Sequence, residues 1–183
     1  MKNLLIVVHP DRSDAISIGL DFAKLASENG FVPLTNRSDL LVGVKEFNSK
    51  DALDCVVVFG GDGTILRAAE IARNTEAPII GINLGKVGFL AEISKPPLKE
   101  ILDAIKVNKL IVEPRLTIAY KIMRDDKEVE SGWALNEVVV ERSNTSLLEL
   151  FVQIDNRPLS RWACDAVICS TPTGSTAYAF SAG

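Results

Sequence analysis

A single carboxylate, Asp62, sits among three glycines in Gly60-Gly61-Asp62-Gly63-Thr64, directly after the apolar run Cys55-Val-Val-Val-Phe59. Backbone this bare lets successive N–H groups approach an oligophosphate where a Cβ would clash. A helix expected to begin at about Thr64, and to run through Ile65 to Asn74, would aim further N–H donors at the same anion. Asp62 can hold Mg²⁺ or accept a proton from an attacking hydroxyl, and both are parts of phosphoryl transfer. The same residues also suit a plain tight turn, for which Gly and Asp are favoured. They form neither a Walker loop, since no Gly-Lys-Ser/Thr follows, nor a G-x-G-x-x-G dinucleotide fingerprint.

Two other groupings carry chemical potential. Ser170-Thr-Pro-Thr-Gly-Ser-Thr-Ala-Tyr178 follows the apolar run Ala166–Cys169 and offers hydroxyls, a glycine and an aromatic face. Such a loop can bind a sugar or purine, or can be a Ser/Thr-rich turn. In Ala134-Leu-Asn136-Glu137-Val-Val-Val140 an amide and a carboxylate interrupt an otherwise apolar strand. Polar groups there are costly unless paired, so they are either partnered structurally or aimed at a ligand. A carboxylate beside an amide suits the cis-diol of a ribose.

The elements that must position these residues fall into two regimes. Up to about residue 108, strand-like runs (Leu4–Val8, Cys55–Phe59, Pro78–Ile82) alternate with helical segments at Ser13 to Asn29, Ile65 to Asn74 and Pro97 to Val107. The first helix places Ile16, Leu20, Phe22 and Ala23 on one side, with a Ser13 or Asp14 start and an Asn29-Gly30 stop. The alternation predicts an α/β domain, a parallel sheet with flanking helices, whose ligands lie at the carboxyl ends of the strands. From about residue 110 the pattern becomes strands and turns: Leu116–Met123, Trp133–Glu141, Leu147–Asp155 and Ala166–Ser170, with turns at Asp125-Asp126-Lys127 and Asp155-Asn156-Arg157-Pro158. A mainly antiparallel second domain is expected. The division is placed at residues 1–110 and 111–183, near Asn108 to Arg115, with the ligand cleft between the two parts.

Composition narrows the classes. The 183 residues are 47% hydrophobic and 24% charged, with a net charge of −4. That balance is globular, and it argues against a general nucleic-acid surface. No apolar run is long enough to span a membrane, and the N-terminal Leu4–Val8 run reads as a first strand rather than a signal segment. A cytoplasmic protein is expected. Cys55, Cys164 and Cys169 lack metal-ligand spacing and are expected as buried, reduced thiols. His9, the sole histidine, reads as a loop residue, Asp125 to Glu128 as a solvated hairpin turn, and Trp133 and Trp162 as core or interface.

Taken in order, Gly60–Thr64, Asn83-Leu-Gly-Lys-Val-Gly-Phe-Leu90, Leu135-Asn136-Glu137 and Asp165 to Ser181 resemble the NAD kinases. The Gly-Gly-Asp-Gly-Thr element alone also resembles diacylglycerol and sphingosine kinases and, more distantly, phosphofructokinases. The NAD kinase resemblance implies phosphoryl transfer from ATP, or inorganic polyphosphate, to the 2′-hydroxyl of the adenosine ribose of NAD, with a divalent metal, Mg²⁺, giving NADP. It implies Asp62 as proton acceptor, with Gly63 beside it and Arg67 meeting ligand phosphate. Asn136 and Glu137 would orient the dinucleotide, and Asp165, Thr176, Ala177, Tyr178, Ala179, Phe180 and Ser181 would complete the contacts. The Asn83–Leu90 loop would line the cleft with Phe89 as an apolar wall, and Lys86 could reach phosphate. Where some relatives carry a basic residue, this chain has Ala163. Family members continue past the loop that ends here at Ala182-Gly183, so a shortened chain with an open sheet edge is expected, poorly soluble or inactive alone. The resemblance further implies a homo-oligomer, dimer or tetramer. A lipid or sugar kinase of the same superfamily, or a non-catalytic NAD-binding module, are the competing readings.

Overall fold

The computed structural model describes residues 2–85, 90, 93–94 and 97–183, with residues 93 and 94 described by backbone alone. Two compact units divide at Glu113/Pro114.

The first unit is a six-stranded parallel sheet. Its strands are β1 (Asn3–Val8), β2 (Val32–Thr35), β3 (Lys45–Glu46), β4 (Cys55–Phe59), β5 (Ile79–Asn83) and β6 (Ile93–Ser94), in the order β3-β2-β1-β4-β5-β6. All five residues of β4 are buried, which is why this strand reads as an unbroken apolar run rather than an alternation. Its side chains divide by parity. Cys55, Val57 and Phe59 join Leu4, Ile6 and Val8 against α1 (Ser13–Glu28), while Val56 and Val58 join Leu5 and Val7 against α2 (Asp62–Ala72). The helix α3 (Leu98–Lys106) adds Ile101, Leu102 and Ile105 to the α1 face. Each fully buried side chain of this size contributes about 1.5–3 kcal/mol over exposure.

Two expectations shift in this unit. The buried stripe of α1 is Ala15, Gly19, Phe22, Ala23 and Ala26, while Ile16 and Leu20 are only half-buried, because small residues let the helix lie close on the sheet. Phe22 meets Phe59 edge-on at 5.4 Å between ring centroids, so the largest side chain of the stripe fills what the alanines leave. The helix α2 begins at Asp62, two residues earlier than expected, with Gly61 as its N-cap.

The second unit consists of three antiparallel two-stranded ladders. β7 (Ile118–Arg124) pairs with β8 (Lys127–Ala134), β10 (Leu148–Ile154) with β11 (Arg157–Cys164), and β9 (Glu137–Glu141) with β12 (Ala166–Ser170). The two hairpin turns hold Asp125-Asp126 and Asp155-Asn156 at φ between 49° and 62°, the left-handed pair that tight hairpins require and that Asp and Asn tolerate. The strand β11 escapes the sequence pattern because Pro158 interrupts it. A register shift between Val152 and Gln153 absorbs that proline, which cannot donate to a ladder. The single strand expected over Trp133–Glu141 is broken at Leu135-Asn136, whose carbonyls are drawn away by Thr171. A 3-10 turn (Thr173–Thr176) and the short helix α4 (Tyr178–Ala182) end the chain.

Only Cys55 of the three cysteines is buried; Cys164 is partly covered and Cys169 is exposed. The two-stranded ladders leave most of their side chains accessible, and Trp162 on β11 is 37% exposed.

Candidate active site

In the first unit, chain direction places the candidate residues. After β1 the chain builds outward on one side of the sheet, and after β4 on the other, so β1 and β4 flank the switch point where ligands of open parallel sheets bind. Their carboxyl ends are joined by His9 N–H donating to Phe59 O at 3.0 Å, and Gly60 N–H donates to Ile82 O at 3.1 Å. Three loop entries therefore lie at one edge: His9 to Arg12, Gly60 to Asp62, and Asn83 to Gly85. His9 Nδ1 accepts the Asp11 N–H at 3.2 Å, a loop role as expected.

The three glycines are not equivalent. A Cβ on Gly60 would lie 2.8 Å from Thr64 Cβ and closer still to its hydroxyl, so this glycine lets the first turn of α2 fold back onto its own entry. Gly61 and Gly63 differ: among the described residues nothing lies within 4 Å of where a Cβ would stand. Such bare backbone is open to the approach of an anion. In the first turn of α2 Thr64 N–H donates back to Gly61 O at 2.9 Å, and Gly61, as N-cap, has no side chain to occupy the amides before Thr64. Thr64 is 2% exposed, and its Oγ1 is buried without a hydrogen-bond partner among the described residues.

Asp62 is half-buried, and its Oδ1 accepts the Leu90 N–H at 3.1 Å. Standing in the first turn, its carboxylate complements the positive end of the helix dipole. Arg67 is exposed on the same helix, and Gly63 is exposed beside Asp62. Lys86 and Phe89, named from the sequence, lie outside the described residues.

Arg12 was not singled out by sequence reasoning. Its Nη2 donates to Leu84 O at 2.7 Å and pairs with Asp14 at 2.6 Å, and its guanidinium closes on Gly85. The hydrogen bond to Asp14 raises the Arg12 pKa, and the same bond holds the Asp14 carboxyl below its ordinary value. The signal for it was positional: a cation just past the carboxyl end of β1.

In the second unit, Asn136-Glu137 and the loop from Thr171 onward are brought together. Thr171 N–H donates to Asn136 O at 2.8 Å, and Thr171 Oγ1 donates to Leu135 O at 2.6 Å. Asn136 Oδ1 and Glu137 Oε2 are both buried without hydrogen-bond partners among the described residues. Leaving such acceptors unsatisfied costs about 1–3 kcal/mol each, so a protein carries them where something else satisfies them. Hydroxyl donors of a ligand sugar have the matching chemistry.

The remaining residues are more open. Thr176, Tyr178, Phe180 and Ser181 are exposed, Phe180 at 76%, while Ala177 and Ala179 are half-covered. Asp165 is engaged by Arg142, Nε to Oδ1 at 3.0 Å, a partner that sequence reading missed because it lies across the β9–β12 ladder.

Comparison with known proteins follows these two regions. Residues 34–109 match the ATP-NAD kinase N-terminal domain, and residues 135–183 match the ATP-NAD kinase C-terminal domain. The chain is 38% identical over 205 residues to the NAD kinase of Nocardia farcinica, covering all of this chain and 63% of that protein. It is 40% identical over 195 residues to the NAD kinase of Leifsonia xyli, covering 64% of it. The chain thus spans less than two thirds of these relatives. Among solved structures it is similar to a yeast NADH kinase complexed with NADH, with a TM-score of 0.88 at 22% identity, covering all of this chain and 61% of that one. It also resembles an NAD kinase from Archaeoglobus fulgidus in complex with ATP, with a TM-score of 0.64 at 28% identity, covering 99% of this chain and 65% of that one. Both show a parallel sheet with helices followed by antiparallel β structure, the architecture found here.

Proposed function

The chain belongs to the ATP-NAD kinase family, and from that premise we propose that its residues transfer a phosphoryl group from ATP, or polyphosphate, to the 2′-hydroxyl of the adenosine ribose of NAD. The ribose oxygen forms the new O–P bond, the bond from the donor's terminal phosphorus to its bridging oxygen breaks, and the hydroxyl proton passes to Asp62. Gly61, Gly63 and the first-turn amides of α2 cradle phosphate, and Arg67 adds a cation. Asn136 and Glu137 hold the ribose hydroxyls, while Asp165, Thr176, Ala177, Tyr178, Ala179, Phe180 and Ser181 complete the dinucleotide contacts.

The observation that carries this reading is the pair of buried, unpartnered acceptors on Asn136 and Glu137. A lipid kinase sharing the Gly-Gly-Asp-Gly-Thr loop has no use for them.

Among the described residues no three His, Cys, Asp or Glu side chains converge into a metal cage. This donor set fits Mg²⁺, which is commonly held by one or two carboxylates plus substrate phosphates. The ion would be held mainly by the substrate phosphates, leaving Asp62 to take the proton; when bound it supplies charge neutralisation at the phosphates.

The same proposal assigns residues 1–110 to phosphate binding and proton transfer and 111–183 to dinucleotide binding. It places the protein in the cytoplasm as a homo-oligomer, dimer or tetramer, serving NADP synthesis without nucleic-acid or membrane partners. The net charge of −4 supports the lack of a nucleic-acid partner, and no described helix is long and apolar enough to cross a membrane.

The test is product formation by the purified protein with NAD, Mg²⁺ and ATP or polyphosphate, read by an NADP-specific dehydrogenase, with sphingosine and diacylglycerol as rival acceptors. NADP is expected. Phosphorylated lipid without NADP would favour the lipid-kinase reading, and NAD binding without transfer from either donor would favour the binding module.

A further inference from the structure

We infer that Thr171 is a positioning residue for the dinucleotide, a buried clamp that sets the Asn136-Glu137 acceptors against the Thr173–Ser181 loop; the inference rests on the NAD reading above. Thr171 is 2% exposed, and it meets three backbone groups that no ladder satisfies. β8 ends at Ala134 and β9 begins at Glu137, so the carbonyls of Leu135 and Asn136 fall in the break between strands. Thr171 takes both, Oγ1–H to Leu135 O at 2.6 Å and N–H to Asn136 O at 2.8 Å. The same hydroxyl accepts the Gly174 N–H at 3.0 Å.

One side chain thus ties the strand break to the start of the loop, using its hydroxyl as donor and acceptor at once. Being β-branched, threonine also restricts the χ1 that aims that hydroxyl. Gly174 completes the clamp from the other side. A Cβ there would lie 2.7 Å from Asn136 Cα and closer still to its carbonyl, so the two backbones meet only because residue 174 has none. The main chain of Asn136 is held by Thr171 and approached by Gly174, while Asn136 Oδ1 and Glu137 Oε2 stay buried without partners among the described residues. Fixing the backbone while leaving those acceptors open is the arrangement a rigid sugar site needs.

Thr171→Val keeps the shape and removes both hydrogen-bonding functions. Steady-state kinetics on the full-length natural protein should show the KM for NAD rising by about tenfold or more, with kcat and the KM for ATP within about threefold of the parent. Thr171→Ser should recover most of the NAD affinity. If Thr171→Val fails to fold, Gly174→Ala carries the same test, since its methyl enters the Asn136 backbone and should raise the KM for NAD in the same direction.

An unchanged KM for NAD in the folded valine variant, or in the alanine variant when it alone folds, would overturn the clamp. So would equal losses for NAD and ATP, or a serine variant as impaired as valine. NAD titration of the unsubstituted protein keeps the two claims apart. Failure of that protein to bind NAD overturns the dinucleotide reading, and the clamp assigned to it with that reading; normal binding by parent and variant alike overturns the clamp only.

Discussion

At the scale of single residues, the proposed chemistry rests on polar groups that the described residues leave without partners. Glu137 is the sharpest case, because its buried Oε2 has no partner among the described residues. Glu137→Gln removes a charge from that site while keeping its size, so thermal melting should hold steady or rise. NAD affinity should fall about tenfold, the equivalent of about 1.4 kcal/mol, by titration calorimetry. A large drop in melting temperature would instead make Glu137 a structural residue. Cys55 shows the opposite logic. Burial pushes its thiol up to about 12 from an ordinary value of 9.0. A thiol whose pKa is raised on folding favours the native state below the unfolded pKa and loses that advantage as pH rises from about 9 toward 12, at up to about 1.4 kcal/mol per pH unit. A thiol reagent at pH 8 should therefore label exposed Cys169 and spare Cys55 until the chain unfolds; rapid labelling of Cys55 in folded protein would contradict this. Asp62, Asn136 and Glu137 stood out as candidates from residue type alone, because a carboxylate among glycines and a polar pair in an apolar strand both break a local rule. Arg12, Arg142 and Thr171 were not, since each acts on a segment distant in sequence, and Leu84, Asp165 and Leu135 become neighbours only on folding.

At the scale of elements, the turn from β4 into α2 does most to define the candidate site. Gly60 is fixed by Thr64, so Gly60→Ala should cost about 1–3 kcal/mol through the clash of its methyl with that side chain. Adding Thr64→Ala should restore much of the loss, as measured by a denaturant double-mutant cycle. Additive losses would show that the two positions do not couple. The strands β1, β4 and β12 were readable because each is a compact apolar run, and α1 and α3 because their periodicity and ends are strong. The start of α2 was misplaced by two residues, since glycines suppress helix propensity where an N-cap and a bare first turn were in fact present. The strands β2, β3 and β6 were missed for their brevity, and β11 for Pro158 and its polar neighbours. The break between β8 and β9 carries no local signal, because its cause is Thr171.

At the scale of the whole molecule, two units with different logic share one chain. The first is a parallel sheet buried on both faces, and the change from strand–helix alternation to strand–turn pattern near residue 110 reflects that difference. The sequence pattern alone left open the choice between a turn and a phosphate loop at Gly60–Thr64 and between a turn and a sugar loop at Ser170–Tyr178; the proposed ligand roles rest on acceptors without partners and on open glycines among the described residues. The proposed function turns on Asp62 as the proton acceptor in phosphorylation of NAD. Its most direct test is the rate of NADP formation by Asp62→Asn against the unsubstituted full-length protein at saturating NAD and ATP, with NAD binding titrated in parallel. Turnover should be lower by about 10²- to 10⁴-fold, the span expected for loss of a general base, with NAD binding largely intact. Equal turnover in the two proteins would contradict that role.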